Sequence, residues 1–147
     1  MGDQAHLLTN WLYAFLREHD AAKLAPSNSS GVLGVAYGTL DIVIEIAPGD
    51  WVYFHVSLAS VPAIDQLSFF QWLLHLNVLC ISTGGATLAL DPDDQQVVLC
   101  RRFALNDLDE DRFASELAAF IQHADHIKTL LAPDKLLPSA IGFSMHP

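Results

Sequence analysis

Few side chains in this sequence could carry out chemistry, and a histidine pair near the end of the last helix-like segment is the first to consider. His123 and His126 are three residues apart, so both imidazoles could face one side of a helical turn. A zinc site needs three or four ligands, and neither His75 nor His146 lies at a spacing that would supply the others. The favoured interpretation is therefore two solvated histidines near a helix end.

The two cysteines and the glycine pair are equally poor candidates for catalysis. A thiol nucleophile needs a histidine base and an activating environment, whereas Cys80 and Cys100 both lie in apolar sequence. This favours buried, unreactive thiols. Gly84-Gly85 is followed by a strand-like segment without a lysine, which excludes a phosphate-binding loop. The sequence thus predicts no catalytic residue, no metal site and no cofactor.

Composition limits the possible partners. The 147 residues are enough for one domain, 52% of them are hydrophobic and 16% are charged. A net charge of -10 repels nucleic acid and anionic lipid surfaces. No secretory signal is visible, and no apolar run approaches the ~20 residues of a membrane span. We expect a cytoplasmic protein that binds neither nucleic acid nor membrane, and whose apolar surplus serves contacts with other polypeptides.

Hydrophobic periodicity predicts three helices and about five strands. Helical spacing of apolar residues indicates helices from Asp3 to His19, after Asp65, and after Asp109, which is a good N-cap. Strands are predicted at residues 32–38, 40–47, 51–57, 86–91 and 96–105, and a loop at 23–31. The order α-β-β-β-α-β-β-α indicates an α+β fold with a twisted antiparallel sheet. We expect residues 1–131 to form a single domain and residues 132–147 to form an irregular C-terminal tail.

The central helix is apolar nearly all round, with few polar residues among Phe69 to Leu76. Such a helix is buried on more than one side. In a chain this short, one side can face its own sheet and the other a second copy of the chain. The sequence therefore predicts a homodimer, whose interface includes Phe69, Trp72, Leu73, Leu76, Leu88, Leu90 and Leu99.

A second apolar set lies on the first helix and the first three strands. It contains more large side chains than one helix needs to cover a three-stranded sheet, and two interpretations remain open. The set is either ordinary core or a groove that binds a partner polypeptide. The candidate groove residues are Leu8, Trp11, Leu12, Phe15, Val35, Tyr37, Val43, Trp51 and Tyr53.

Four sequence features occur together in a known family. They are Leu73-Leu74-His75-Leu76-Asn77, the Gly84-Gly85 entry to a strand that ends at Asp91, Val97-Val98-Leu99 with the connector to Asp109, and the helix of Phe113, Leu117, Phe120 and Ala124. In this combination the chain resembles the Tir-chaperone (CesT-like) family, the class I chaperones of bacterial type III secretion. The resemblance runs from Ala5 to Leu131, so that the domain is secretion-chaperone-like.

The resemblance implies a homodimer without enzymatic activity in the bacterial cytoplasm. It also implies a partner, an extended segment near the N-terminus of a secreted effector, which is held non-globular and secretion-competent before export. Two other interpretations remain. One is a regulatory module on the same fold that binds a transcriptional regulator. The other is a small-ligand-binding or enzymatic α+β domain with His55, His75 or Asp41 in a pocket.

Overall fold

The computed structural model describes residues 2–19, 24–26 and 33–132, and within them the elements follow the predicted order. The helices are α1 (Gly2–Glu18), α2 (Gln66–Leu76) and α3 (Glu110–Leu130). The strands are β1 (Leu24–Pro26), β2 (Leu33–Tyr37), β3 (Leu40–Ala47), β4 (Trp51–Ser60), β5 (Thr87–Asp91) and β6 (Gln96–Ala104). The α+β class is confirmed. The predicted irregular tail lies outside the described residues, apart from Ala132.

All strands belong to one antiparallel sheet with the order β1-β2-β3-β4-β6-β5. Five of them are the predicted strands. The sixth, β1, lies in the segment predicted as a loop, because three residues that include Pro26 are too few to show alternation. Strands β1 to β4 follow one another through the sheet. The chain then passes through α2 and β5 before β6 pairs with β4, which leaves β5 at the edge.

The hydrophobic core lies on one face of the sheet, beneath α1 and α3. At its centre, the fully buried Phe54 of β4 packs its ring against Phe103, Phe113 and Phe120, at centroid distances of 5.2, 5.6 and 5.8 Å. Burial of each such ring contributes roughly 1.5–3 kcal/mol. Helix α3 packs on β4 and α1 packs on α3, so the helices shield the central strands on this face alone.

The start of α3 is fixed as the sequence predicts. The side chain of Asp109 accepts a hydrogen bond from the backbone N–H of Arg112 at 2.7 Å, and Glu110 and Asp111 lie in the first turn. This cap satisfies one of the free N–H groups at the helix terminus, and the carboxylates complement the helix dipole. The cap therefore sets the residue at which the connection from β6 ends and α3 begins.

Candidate partner-binding surfaces

The face of the sheet opposite the helices is not covered by any helix among residues 2–19, 24–26 and 33–132. Cross-strand partners share a face, and two rows of them lie here: Glu45 beside Tyr53 and Arg102, and Val43 beside His55 and Cys100. Trp51 precedes Tyr53 by two residues on β4 and lies in the next row of the same face, between Ala47 and Ala104. We call this the open face and define it by Val43, Glu45, Trp51, Tyr53, His55, Cys100 and Arg102.

The open face combines aromatic rings with charges of both signs. The guanidinium of Arg102 lies over the Trp51 ring, 4.1 Å from its centroid, in a cation–π contact. Glu45 contacts His55 instead, with 3.4 Å between Oε2 and Nε2. Among the described residues, Arg102 makes no ion pair with a carboxylate. Its charge therefore remains available to a partner beside the Tyr53 ring.

Cys100 lies on this face beside His55, two residues before Arg102 on β6. Burial raises the pKa of its thiol, and the Glu45 carboxylate raises it further. Both causes disfavour the thiolate, which is the reactive form. The environment of Cys100 thus opposes nucleophilic chemistry on the open face.

The structure does not bring the nine predicted groove residues together. Leu8, Leu12, Phe15 and Val35 are 0–1% exposed and belong to the core, so their side chains are not available to a partner. Trp11 is half-buried against Phe113, with ring centroids 5.6 Å apart, and Tyr37 also packs against the core. The three that share the open face are half-buried: Val43, Trp51 and Tyr53. Strand alternation causes the division, since Val35 and Tyr37 face the helices whereas Val43 faces away.

A second surface lies around α2 and the chain that flanks it. Nine large apolar side chains are exposed in the described part of the chain, and six of them occur between residues 64 and 81. We call this set the α2 surface. Its members are Ile64, Leu67, Leu74, Val78, Leu79 and Ile81, with exposed fractions from 58% to 83%. A cluster of this size is unusual on a monomeric protein and typical of an interface.

None of the residues predicted for the dimer interface is among these six. Phe69, Leu73, Leu76, Leu88 and Leu99 are buried in the chain's own core, whereas Trp72 is half-buried and Leu90 is 39% exposed. The α2 residues Phe69, Leu73 and Leu76 of that predicted set face the core, whereas Leu74 on the same helix faces outward. The apolar residues just beyond both helix ends, such as Ile64 and Ile81, were the available signal.

The connection from α2 to β5 presents part of the α2 surface in an unusual backbone conformation. Leu79 and Cys80 have φ angles of 55° and 53°, in the left-handed region that is unfavourable for these residues. This conformation turns the chain sharply after Asn77. The side chain of Leu79 is thereby 83% exposed, the highest fraction on the α2 surface.

The Gly84-Gly85 pair is a packing site rather than a phosphate-binding loop. The ring of His123 lies against Gly84, and the guanidinium of Arg101 lies close to Gly85. Arg101 also donates to the carbonyl of Gly84 at 3.3 Å and to Glu116 of α3 at 2.5 Å. These contacts fix the start of β5 against β6 and α3. They also pair the charge of Arg101 with the half-buried carboxylate of Glu116.

Other kinds of site find no support in the described residues. His126 is exposed whereas His123 packs on Gly84, and no group of three or more His, Cys, Asp or Glu residues there could hold a metal ion. Of the candidate pocket residues, Asp41 and His55 line a shallow depression of about 470 Å³, while His75 stacks on Trp72 elsewhere. None of the three helices has the length and apolar character required to cross a membrane.

Comparison with solved structures shows a shared fold. A chain of the HopA1–SchA chaperone–effector complex superposes with a TM-score of 0.60 at 16% identity, over 84% of this chain and 94% of that one. A chain of the ExoU–SpcU complex from the Pseudomonas aeruginosa type III secretion system gives 0.56 at 20% identity, over 88% and 97%. YbjN of E. coli, described as a putative transcription regulator, gives 0.55 at 15% identity, over 84% and 87%.

Family membership rests on the sequence itself. Curated proteins provide no match. The profile of the Tir chaperone protein (CesT) family, however, matches residues 11–128, from the middle of α1 almost to the end of α3. The match includes the Leu-rich helix α2 and the glycine pair that begins β5. The chain therefore belongs to the Tir chaperone protein (CesT) family.

Proposed function

We propose that this protein is a type III secretion chaperone that binds a secreted effector in the bacterial cytoplasm and keeps it competent for export. Family membership supports a chaperone. The fold is shared with a chain of the HopA1–SchA chaperone–effector complex and with a chain of the ExoU–SpcU complex from a type III secretion system. The observation that carries the proposal is the presence of two separate unpartnered surfaces on one small chain. One is rich in exposed aliphatic side chains, and the other is aromatic and charged.

The α2 surface mediates homodimerisation in this proposal. Its exposed leucines and isoleucines carry no charge, as is typical of a surface that stays buried in an obligate interface. A two-fold axis through this surface would place each α2 against its copy and cover residues such as Leu74 and Leu79 in both chains. The buried residues Phe69, Leu73, Leu76, Leu88 and Leu99 support this surface from beneath.

The open face binds cargo in this proposal, specifically an extended segment near the N-terminus of the effector. Trp51 and Tyr53 offer apolar area with low conformational entropy, and Arg102 offers a charge that is already positioned by the Trp51 ring. Trp11 and Tyr37, on the helix side, form a second contact area if the segment continues around the sheet. The mechanism has no chemical step, since binding the extended form opposes folding of the segment by mass action.

The decisive experiment combines capture with secretion. The tagged chain is expressed in its host, captured proteins are identified by mass spectrometry, and truncations of each locate the bound segment. Deletion of the gene for this chain should then reduce secretion of that protein. Wild type should restore secretion and Tyr53→Ala should not, whereas Gln122→Ala, an exposed change on α3, should behave as wild type.

Two results would contradict the proposal. Secretion of every captured protein could remain unchanged after deletion, or the bound region could be a folded domain. Capture of a folded transcription regulator would instead favour the regulatory interpretation, which the shared fold with YbjN makes worth testing.

A further inference from the structure

The outer edge of the sheet at β5 is occupied by side chains. In an antiparallel pair, successive residues direct their N–H and C=O groups alternately towards and away from the neighbouring strand. Leu88 pairs with Leu99 of β6, but both of its main-chain groups are bonded on the other side. Ala86 and Leu90, two residues before and after Leu88, share its orientation in the strand. An edge with such groups free is a template for an additional strand.

Asn77 takes the place of that additional strand. The N–H of Leu88 donates to Oδ1 of Asn77 at 2.8 Å, and Nδ2 of Asn77 donates to the carbonyl of Leu88 at 2.9 Å. These are the same two bonds that a residue of a neighbouring strand would make. Asn77 is the C-terminal cap of α2, so one amide side chain joins the helix to the strand edge.

Thr83 repeats the arrangement one step earlier on the same edge. The N–H of Ala86 donates to the carbonyl of Thr83 at 3.2 Å, and the Thr83 hydroxyl donates to the carbonyl of Ala86 at 2.5 Å. Thr83 is 1% exposed, and it is the only buried polar residue in the described part of the chain. Two of the three outward positions from residue 86 to residue 90 therefore have both main-chain groups bonded within the chain. Leu90 is the third.

We propose that Asn77 and Thr83 close the β5 edge to strand addition, whether the incoming strand comes from a second copy of the chain or from an extended partner segment. The closure matters because the β5 edge is near exposed apolar side chains. β5 begins six residues after Ile81, and Leu88 is bonded to Asn77, so an open edge there would lie near exposed Val78, Leu79 and Ile81. An apolar surface next to unpaired main-chain N–H and C=O groups of an edge strand favours aggregation. With the edge closed, association at this end of the molecule proceeds through side chains alone.

The closed edge is a property of the single chain and is independent of what the open face binds. A monomeric chain, or one with a different cargo, would still have the closed edge. Its test therefore needs neither a partner nor a secretion assay.

The first measurement uses the unmodified protein. Amide hydrogen exchange followed by NMR should show the Leu90 N–H exchanging at least tenfold faster than the Leu88 N–H, although both face outward. The reason is that only Leu88 has an Asn77 partner. Equal exchange rates of the two amides would overturn the proposal, because either an added strand would protect both or Asn77 would protect neither.

The second measurement removes the closing side chain. In Asn77→Ala, exchange at Leu88 should accelerate at least tenfold, and sedimentation velocity should show species larger than those of wild type as concentration rises. Asn77→Asp retains the acceptor for the Leu88 N–H, so Leu88 should stay protected and the added charge should oppose assembly. Asn10→Ala, an exposed change on α1, is the matched control and should behave as wild type. A folded Asn77→Ala protein with wild-type exchange at Leu88 and no additional species would overturn the proposal. If Asn77→Ala does not fold, Asn77→Asp and the comparison of Leu90 with Leu88 decide.

Discussion

The imidazole ring of His123 lies against the main chain of Gly84, so closely that a β-carbon on residue 84 would overlap the ring. Gly84 also has a φ of 62°. Gly84→Ala should therefore lower the free energy of unfolding for two reasons. The left-handed backbone should cost about 1–2 kcal/mol, and overpacking against the ring should cost a further 1–3 kcal/mol, roughly. Urea unfolding measures the total.

Gly38 supplies the matched control for this prediction. Its φ is 58°, but nothing lies within 4 Å of where its β-carbon would be. Gly38→Ala should show the backbone cost alone. In a His123→Ala background, Gly84→Ala should lose its additional cost and approach Gly38→Ala. Equal free energies of unfolding for the two glycine variants in the wild-type background would show that the His123 contact does not constrain Gly84.

Leu74 tests the α2 surface without disturbing the core. It is 68% exposed, so Leu74→Arg should leave the fold of one chain intact and place a charge in the proposed interface. Light scattering should give the mass of two chains for wild type and of one chain for the variant, with unchanged circular dichroism. Leu7→Arg, an exposed change on α1, should remain dimeric. A one-chain mass for wild type at micromolar concentration would exclude the homodimer.

Leu76, by contrast, is unsuited to that test. It is 3% exposed, so Leu76→Arg would bury an unpaired charge and unfold the chain whether or not a dimer exists.

Tyr53 tests the open face. Tyr53→Ala should weaken binding of the captured effector segment at least tenfold, which corresponds to about 1.4 kcal/mol, because a central aromatic anchor is lost. Isothermal titration calorimetry with the truncated segment measures the change. Tyr13→Ala removes the same side chain from the outer side of α1, where Tyr13 is 50% exposed, and should bind as wild type. Should the two variants bind equally well, the open face is not the cargo site.

Cys100 provides a pH-dependent readout of the same face. Because burial and Glu45 both raise the pKa of its thiol, less thiolate is present at a given pH than for an ordinary cysteine. In a Cys80→Ser background, alkylation by iodoacetamide near pH 8 should be slow and should accelerate as pH rises further. Glu45→Gln removes one cause, so its rate profile should shift to lower pH. Asp41→Asn, four residues before Glu45 on β3, should leave the profile in place, and a shift as large as that of Glu45→Gln would exclude a specific effect of Glu45.

Local pattern was sufficient for much of the fold. β3 begins and ends where alternation of Leu40, Ile42 and Ile44 placed it, and Asp109 caps α3 as predicted. Both depend on residues near one another in sequence, where side-chain period and capping chemistry are directly visible.

The candidate surfaces depended on long-range pairing, which pattern does not reveal. Val35 and Val43 are chemically equivalent in the sequence, and only their positions in the sheet place one in the core and the other on the open face. The all-round apolar helix likewise gave no indication that Leu73 would face inward and Leu74 outward. The hydrogen bonds between the Asn77 side-chain amide and the main chain of Leu88 link residues 11 positions apart. They could be predicted only if the path of the chain from α2 to β5 were known.

Leu79 shows how such a surface can constrain the evolution of the chain. Its left-handed backbone costs about 1 kcal/mol, and glycine at this position would remove that cost. Its side chain is 83% exposed, so glycine would sacrifice almost nothing of the core. Selection for stability of the isolated chain alone would thus replace this leucine. If related sequences retain leucine at this position, selection acts on the assembled protein. If they have glycine instead, no such selection acts on this position.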